Sequence, residues 1–277
     1  MTRAPWVQAK PDRPWAKPGE AFDTSIGWRF TNPRLAAREN ATLSMPETAE
    51  EVARRDGITR ADADAFALLS HQRAIQAIDA GRFTAEIVPV PTSRGSVAVD
   101  EGPRRDTTIE VLGGLRPAVA GGSVVTAGNA SSLNDGASAV IVASDSAVER
   151  LGLRPRARIV ASASAALAPE IMGLGPVPAT RKALDKAGLT IADLGAIEIN
   201  EVFATQSLAS MRRLGLGSEI VNADGGAIAL GHPLGSSGCR IVVTLLGRME
   251  REGAQYGLAT MCVGVGQGTA MILERVS

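Results

Sequence analysis

The sequence predicts an α/β protein whose second half is an open sheet covered by helices on both faces and whose first half is mostly helical. Three observations predict it. From Ser123 onward, short continuous apolar runs alternate with segments of helical period, the pattern of strands buried on both faces. Aromatics are only 3% of the chain against 30 glycines, so the core is built from Ala, Val, Ile and Leu with close backbone approaches. Before Ser123 the clearest periodicity is helical.

Taken in order, residues 1–45 are rich in Pro, Arg and Trp and read as an extended, loop-rich segment. "ETAEEVARRDG" reads as a short helix stopped by Gly57. The next helix starts at a Thr59-x-x-Asp62 capping pattern and stops at Gly81, with Ala65, Leu68, Leu69, Ile75 and Ile78 as its apolar face. "AEIVPV" reads as a strand, followed by a polar loop from Pro91 to about Asp106. "SVVTAGNASSLNDGASAVIVAS" reads as a Gly/Asn/Ser-rich turn feeding a strand at 139–143 and then a helix through Arg150. "RARIVASAS" and "LGAIEIN" read as strands, and residues 179–187, 202–214 and 237–252 as helices. Ser236 or Ser237 is expected to cap the last of these, whose buried face is Ile241, Val242, Leu245, Leu246 and Met249. "GLATMCVG" and "GTAMILERV" close the chain as a pair of strands, and no tandem repeat is present.

Lys+Arg and Asp+Glu are both 29, a balance that points to neither nucleic acid nor an anionic membrane surface. Two cysteines make no disulfide framework, which predicts a reducing, cytoplasmic setting. The opening "MTRAPWVQAKPDRPWAKPGE" has no apolar h-region, and no run reaches the length of a spanning helix.

The chemistry-bearing residues are few. With two histidines a metal cluster is excluded. His71 lies mid-helix and reads as a solvated surface residue, whereas His232 sits between Gly231 and Pro233 at a tight turn entering a helix. His232 is either a structural imidazole bonded to a carbonyl or, beside a thiol, a proton acceptor. Cys262 ends an apolar strand and is either a small core residue or that thiol, with the Gly264 N–H placed to meet a developing oxyanion. Cys239 reads as core filling within a helix, and Asn200 at a strand end either caps a helix or fixes a water. The glycines of "NADGGAIALGHPLGSSGCR" allow close approach to a ligand, but the segment is neither a dinucleotide fingerprint nor a Walker loop.

"NEVFA", "GGAIALGHPLGSSG" and "CVGVGQG", in that order and spacing, resemble the C-terminal catalytic blocks of thiolases; "TAGNASSLNDGASAVIV" and "GLGPVPATRKAL" also resemble that family. "FDTSIGWRFTNPRL" leans towards the subgroup acting on 3-oxoadipyl-CoA and related 3-oxoacyl-CoAs. The resemblance implies a thiolase-like layered α-β-α C-terminal domain at 156–277, a mostly helical inserted loop domain at 1–125, and at 126–155 the last strand and helix of an N-terminal domain. It implies Claisen chemistry on CoA thioesters, in which one cysteine is acylated and a second is general acid/base at the α-carbon. By matching motif, His232 would activate the nucleophile and help hold a thioester oxygen, and Asn200 would position a water in that oxyanion site. Cys262 would be the acid/base, and the Gly264 N–H would belong to a second oxyanion hole. Ser131 and Ala127 would contact the pantetheine arm, with Met45 and Phe203 lining the acyl or pantetheine pocket. No permanently bound cofactor is implied; coenzyme A and acyl-CoA are substrates, and a homo-oligomer is the expected assembly.

Neither cysteine has the context of the family's nucleophile. The expectation is therefore a chain inactive alone, completed by a nucleophile-bearing thiolase segment, with the 139–143 strand presenting an unpaired edge. A split thiolase subunit and a non-catalytic acyl-CoA-binding remnant are the alternatives.

Overall fold

Chain order and strand pairing together build a layered molecule; the computed structural model describes residues 2–276. The described residues up to 44 hold only a small hairpin, β1 (Trp6–Gln8) with β2 (Ala21–Asp23), and one helical turn, α1 (Pro33–Ala36). Two longer helices follow, α2 (Met45–Asp56) and α3 (Arg60–Asp79). Each opens with a reciprocal capping box, Ser44 with Glu47 and Thr59 with Asp62, and α2 ends on Gly57 in the left-handed region at φ 61°.

The buried stripe of α3 differs from the expected one. Ala63, Ala67, Ser70, Ala74 and Ala77 face inward, Ala65 is exposed, and Leu68, Leu69, Ile75 and Ile78 are half-buried. The helix packs so closely on a neighbouring turn that a Cβ at Gly225 would lie 2.6 Å from the Ala74 nitrogen, and only small side chains allow that approach. His71 belongs to this stripe: it is buried, not solvated, and its Nδ1 accepts the Arg104 N–H at 3.1 Å.

"AEIVPV" forms a strand only at its end. Residues 80–86 are turn, and β3 (Val90–Thr92) pairs with β4 (Gly95–Val97), mostly inside the stretch expected to be loop. After α4 (Ile109–Gly113) comes the larger correction. Residues 136–144 carry no strand, although α5 (Asp145–Leu151) forms as expected. A strand is completed by hydrogen bonds to a neighbour, and no described residue pairs with this segment, so Ile141 stays 90% exposed and Val142 75% exposed.

The remaining elements are β5 (Ala157–Ala166), α6 (Pro176–Ala187), β6 (Leu194–Ile199), α7 (Ala204–Leu214), the single turn α8 (Ala227–Leu230), α9 (Ser237–Glu252), β7 (Tyr256–Val263) and β8 (Gln267–Arg275). Four of them make one sheet in the order β5-β8-β7-β6; β8 is antiparallel to both neighbours, and β6 runs parallel to β7. The two-residue period of each strand divides the core. Ile197, Ile199, Leu258 and Ile272 point to the layer of α6 and α7, while Ala196, Ala259 and Leu273 meet Ile241, Leu245 and Met249 of α9. Val52, Ala63 and Ala67 of α2 and α3 join the first of these clusters. No helix among the described residues is long and apolar enough to cross a membrane.

Candidate functional site

The parallel pair β6 and β7 ends on one side of the sheet, where α/β folds bind ligands. Ile199 is in register with Thr260, and the Asn200 N–H donates to the Thr260 carbonyl at 3.0 Å. Cys262 lies two residues further along β7, so both residues sit at the carboxyl ends of these strands.

Three segments converge there. The loop 129–134 runs beside the "NEVFA" segment: the Ser131 N–H donates to the Val202 carbonyl at 2.9 Å, and the Ala204 N–H to the Asn129 carbonyl at 2.9 Å. Asn129, fully buried, holds this loop rigid by donating to the Asp64 carboxylate and the Val124 carbonyl. Leu133 bridges to His232, whose N–H donates to the Ser132 carbonyl at 3.1 Å. Gly231 precedes that histidine at φ 91°, and a Cβ there would overlap the Asn134 amide, so glycine is required.

His232 is buried among polar groups. Its Nδ1 lies 2.6 Å from the Ser237 hydroxyl and 3.4 Å from Asn200 Nδ2. Burial first, and the positive charge of Arg240 second, bring its pKa down to about 4, so the ring is neutral at pH 7. Asn200 is fully buried and its Oδ1 has no hydrogen-bond partner among the described residues. A buried amide oxygen of this kind is where an ordered water is held.

Cys262 is 3% exposed, and burial pushes its thiol up to about 12. At neutral pH the sulfur therefore keeps its proton. Beyond it, Gly264 sits in the turn between β7 and β8, and a Cβ placed there would meet nothing within 4 Å. Two residues later the chain is tightly packed: a Cβ at Gly266 would overlap the Leu167 carbonyl, and one at Gly268 the Gly175 carbonyl.

Phe203 is buried with Val125 and Ala49, and Met45 packs against that cluster. Ser131 is half-buried in the adjoining loop, and Ala127 is exposed. Cys239 is a half-buried free thiol within α9.

Two features of the site were not legible from the sequence. Neither serine caps α9 through its side chain; Ser237 instead turns its hydroxyl to His232, because the tight turn after Pro233 brings the two within five residues. Glu201 is fully buried, accepts from Ser70 Oγ and Asn222 Nδ2 at 2.7 Å each and from the Ile228 N–H, and so ties α3, β6 and the glycine-rich turn together. Its place in "NEVFA" was visible; its partners are 21, 27 and 131 residues away.

Comparison with known proteins supplies the family. The model of the thiolase N-terminal domain matches residues 30–146, and that of the thiolase C-terminal domain matches residues 153–275. A beta-ketoadipyl-CoA thiolase of Pseudomonas aeruginosa is 53% identical over 283 residues, covering 100% of this chain and 70% of that protein. This chain belongs to the thiolase family.

A second relative, the 3-oxoadipyl-CoA/3-oxo-5,6-dehydrosuberyl-CoA thiolase of Escherichia coli K12, is 52% identical over the same coverage. Among solved thiolases, human mitochondrial 3-ketoacyl-CoA thiolase in complex with CoA superimposes with a TM-score of 0.88 at 39% identity, covering 99% of this chain and 68% of that one. The Bacillus anthracis acetyl-CoA acetyltransferase gives 0.86 at 40% identity, covering 98% and 68%. The fold is thus that of a thiolase, and the chain is a thiolase-type acyl-CoA acyltransferase.

Proposed function

We propose that this thiolase cleaves 3-oxoadipyl-CoA, or a closely related 3-oxoacyl-CoA, with coenzyme A. The reading is supported by Asn200, which meets His232 at 3.4 Å just beyond the end of β6, and by the buried, protonated Cys262 at the end of the neighbouring strand β7. The substrates for which the two bacterial relatives are named supply the acyl chain. Carbon–carbon cleavage of a 3-oxoacyl thioester leaves an enolate that needs an acid at carbon and donors at oxygen. Cys262 carries the proton for the α-carbon, and its elevated pKa keeps that proton in place until the enolate forms. His232, with a water held by Asn200 Oδ1, faces one oxyanion, and the Gly264 N–H faces a second in a turn with open space around it. His232 also activates the nucleophile. Ser131 and Ala127 contact the pantetheine arm, and Met45 and Phe203 wall the adjoining pocket. Coenzyme A enters as substrate, with no permanently bound cofactor.

The nucleophilic cysteine comes from outside these residues, either in a longer form of the polypeptide or in a separate one, since Cys239 lies within α9 and Cys262 is the acid. The exposed segment 139–143 supports the same reading. Its bare backbone and apolar Ile141 and Val142 are what a strand of that partner would cover. The division at 1–125, 126–155 and 156–277 and a homo-oligomeric assembly belong to this proposal.

The test is complementation. The chain is mixed with a nucleophile-bearing N-terminal thiolase segment, and CoA-dependent loss of 3-oxoadipyl-CoA is followed. Cleavage by the mixture alone, lost in Cys262→Ala, is the expected result. Cleavage by the chain without the segment would overturn the external nucleophile. Activity unchanged in Cys262→Ala would remove Cys262 from the chemistry.

A further inference from the structure

A carboxylate on α2, to which the reading above gives no role, holds the start of the loop that carries Ala127 and Ser131. One oxygen of Glu50, Oε1, accepts the backbone N–H of three consecutive residues: Ser123 at 3.1 Å, Val124 at 2.9 Å and Val125 at 2.8 Å. Successive amides turned to one point form an anion-binding concavity, and here the protein's own carboxylate fills it. The approach is close, since a Cβ at Gly122 would lie 2.7 Å from the same oxygen. Neighbouring Glu51 pairs with Arg54 and Arg55, whereas no ion pair among the described residues includes Glu50. Its charge is directed at the backbone alone, which makes these bonds stronger than those of a neutral acceptor.

The loop has a second anchor of another kind. Asn129 Nδ2 donates to Asp64 at 2.8 Å and to the Val124 carbonyl at 2.9 Å, its Oδ1 accepts the Thr126 N–H at 2.8 Å, and Asp64 pairs with Arg60 at 2.7 Å. Val124 belongs to both anchors: its N–H meets Glu50 and its carbonyl meets Asn129. Glu50 therefore fixes the residue on which Asn129 closes the turn around Ala127. The Ser132 carbonyl, which accepts the His232 N–H, lies beyond the second anchor.

We propose that Glu50 is a positioning residue for coenzyme A: by gathering the amides of residues 123–125 it holds Ala127 and Ser131 in the arrangement that receives the pantetheine arm. The second half of this statement rests on the acyl-CoA reading of those two residues; the hold of Glu50 on the loop does not. Apparent affinity scales with the population of the receptive loop, so freeing 123–125 weakens coenzyme A binding. Asn200, His232 and Cys262 stand on other segments and keep their places. A raised KM with kcat preserved is the signature of such a role.

The test compares Glu50→Gln, which keeps the shape and removes the charge, and Glu50→Ala, which removes the acceptor, with Glu51→Gln as the control. Amide hydrogen exchange of the chain reads the loop, and isothermal titration with coenzyme A reads binding. In Glu50→Gln, exchange at 123–128 speeds up about tenfold while α3 and β7 keep wild-type protection, and the Kd for coenzyme A rises roughly fivefold. Glu50→Ala moves both further. In the complemented enzyme KM for coenzyme A rises by a similar factor with kcat within about twofold of wild type. Glu51→Gln leaves every reading unchanged. Exchange and affinity both unmoved in Glu50→Ala, or kcat falling as far as KM rises, would overturn the proposal. Faster exchange with wild-type affinity would overturn the part of Glu50 in binding. A wild-type chain that does not bind coenzyme A would remove the acyl-CoA reading of Ala127 and Ser131 and the binding half with it; the exchange rates alone then decide the hold on the loop.

Discussion

Residues 139–143 and the strand β7 are built from the same materials and meet opposite fates. "AVIVA" and "GLATMCV" are both runs of small and apolar residues preceded by turn-forming stretches. In β7, Leu258 is fully buried, the backbone is paired on one edge with β8 and on the other with β6, and helices cover both faces. In 139–143 the same chemistry lies unpaired, with Ile141 almost wholly in solvent. Strand propensity measures fit to a half-buried pleated surface and not a property of the run itself. Without a neighbouring edge the apolar side chains have nowhere to go.

The comparison can be broken most forcefully from behind the sheet. Arg248 of α9 is fully buried and donates to Glu198 on β6 at 2.8 Å, and to the carbonyls of Ile197 and Ile220. Arg248→Ala leaves a buried carboxylate and two carbonyls without that donor, and should cost about 3–5 kcal/mol in urea denaturation. A loss under about 1 kcal/mol would mean the sheet is not the seat of stability.

Next in size, Leu258→Ala should cost roughly 3 kcal/mol, by lost burial and the cavity left between β7 and the α6–α7 layer. Ile141→Ser should cost within about 0.5 kcal/mol in the chain alone, since the side chain buries almost nothing. Equal losses for the two variants would refute the contrast drawn here. A cost for Ile141→Ser that appears only with the complementing segment would sharpen it, by showing the segment seated on 139–143.

The catalytic sequence blocks were legible because their chemistry is local. Glycine at 231 is demanded by backbone angle, the capping boxes at Ser44 and Thr59 lie within one turn, and the alternating apolar runs of the C-terminal half set each strand. His232 and Cys262 could be named as scarce residue types in unusual settings. His71 misled because a mid-helix histidine gives no sign of which face packs, and the face of α3 was set by how closely a glycine turn approaches it.

The sequence by itself determined the α/β class, the order of its C-terminal strands and helices, and the family motifs that place Asn200, His232 and Cys262, because period, caps and turns act over a few residues. The tertiary structure alone decided that Cys262 stays protonated, that Ser237 faces the imidazole, that Glu201 is buried in a network, and that 139–143 is not a strand. Each of these depends on desolvation or on whether a distant part of the chain supplies a partner, and neither is written in the residue's own neighbourhood.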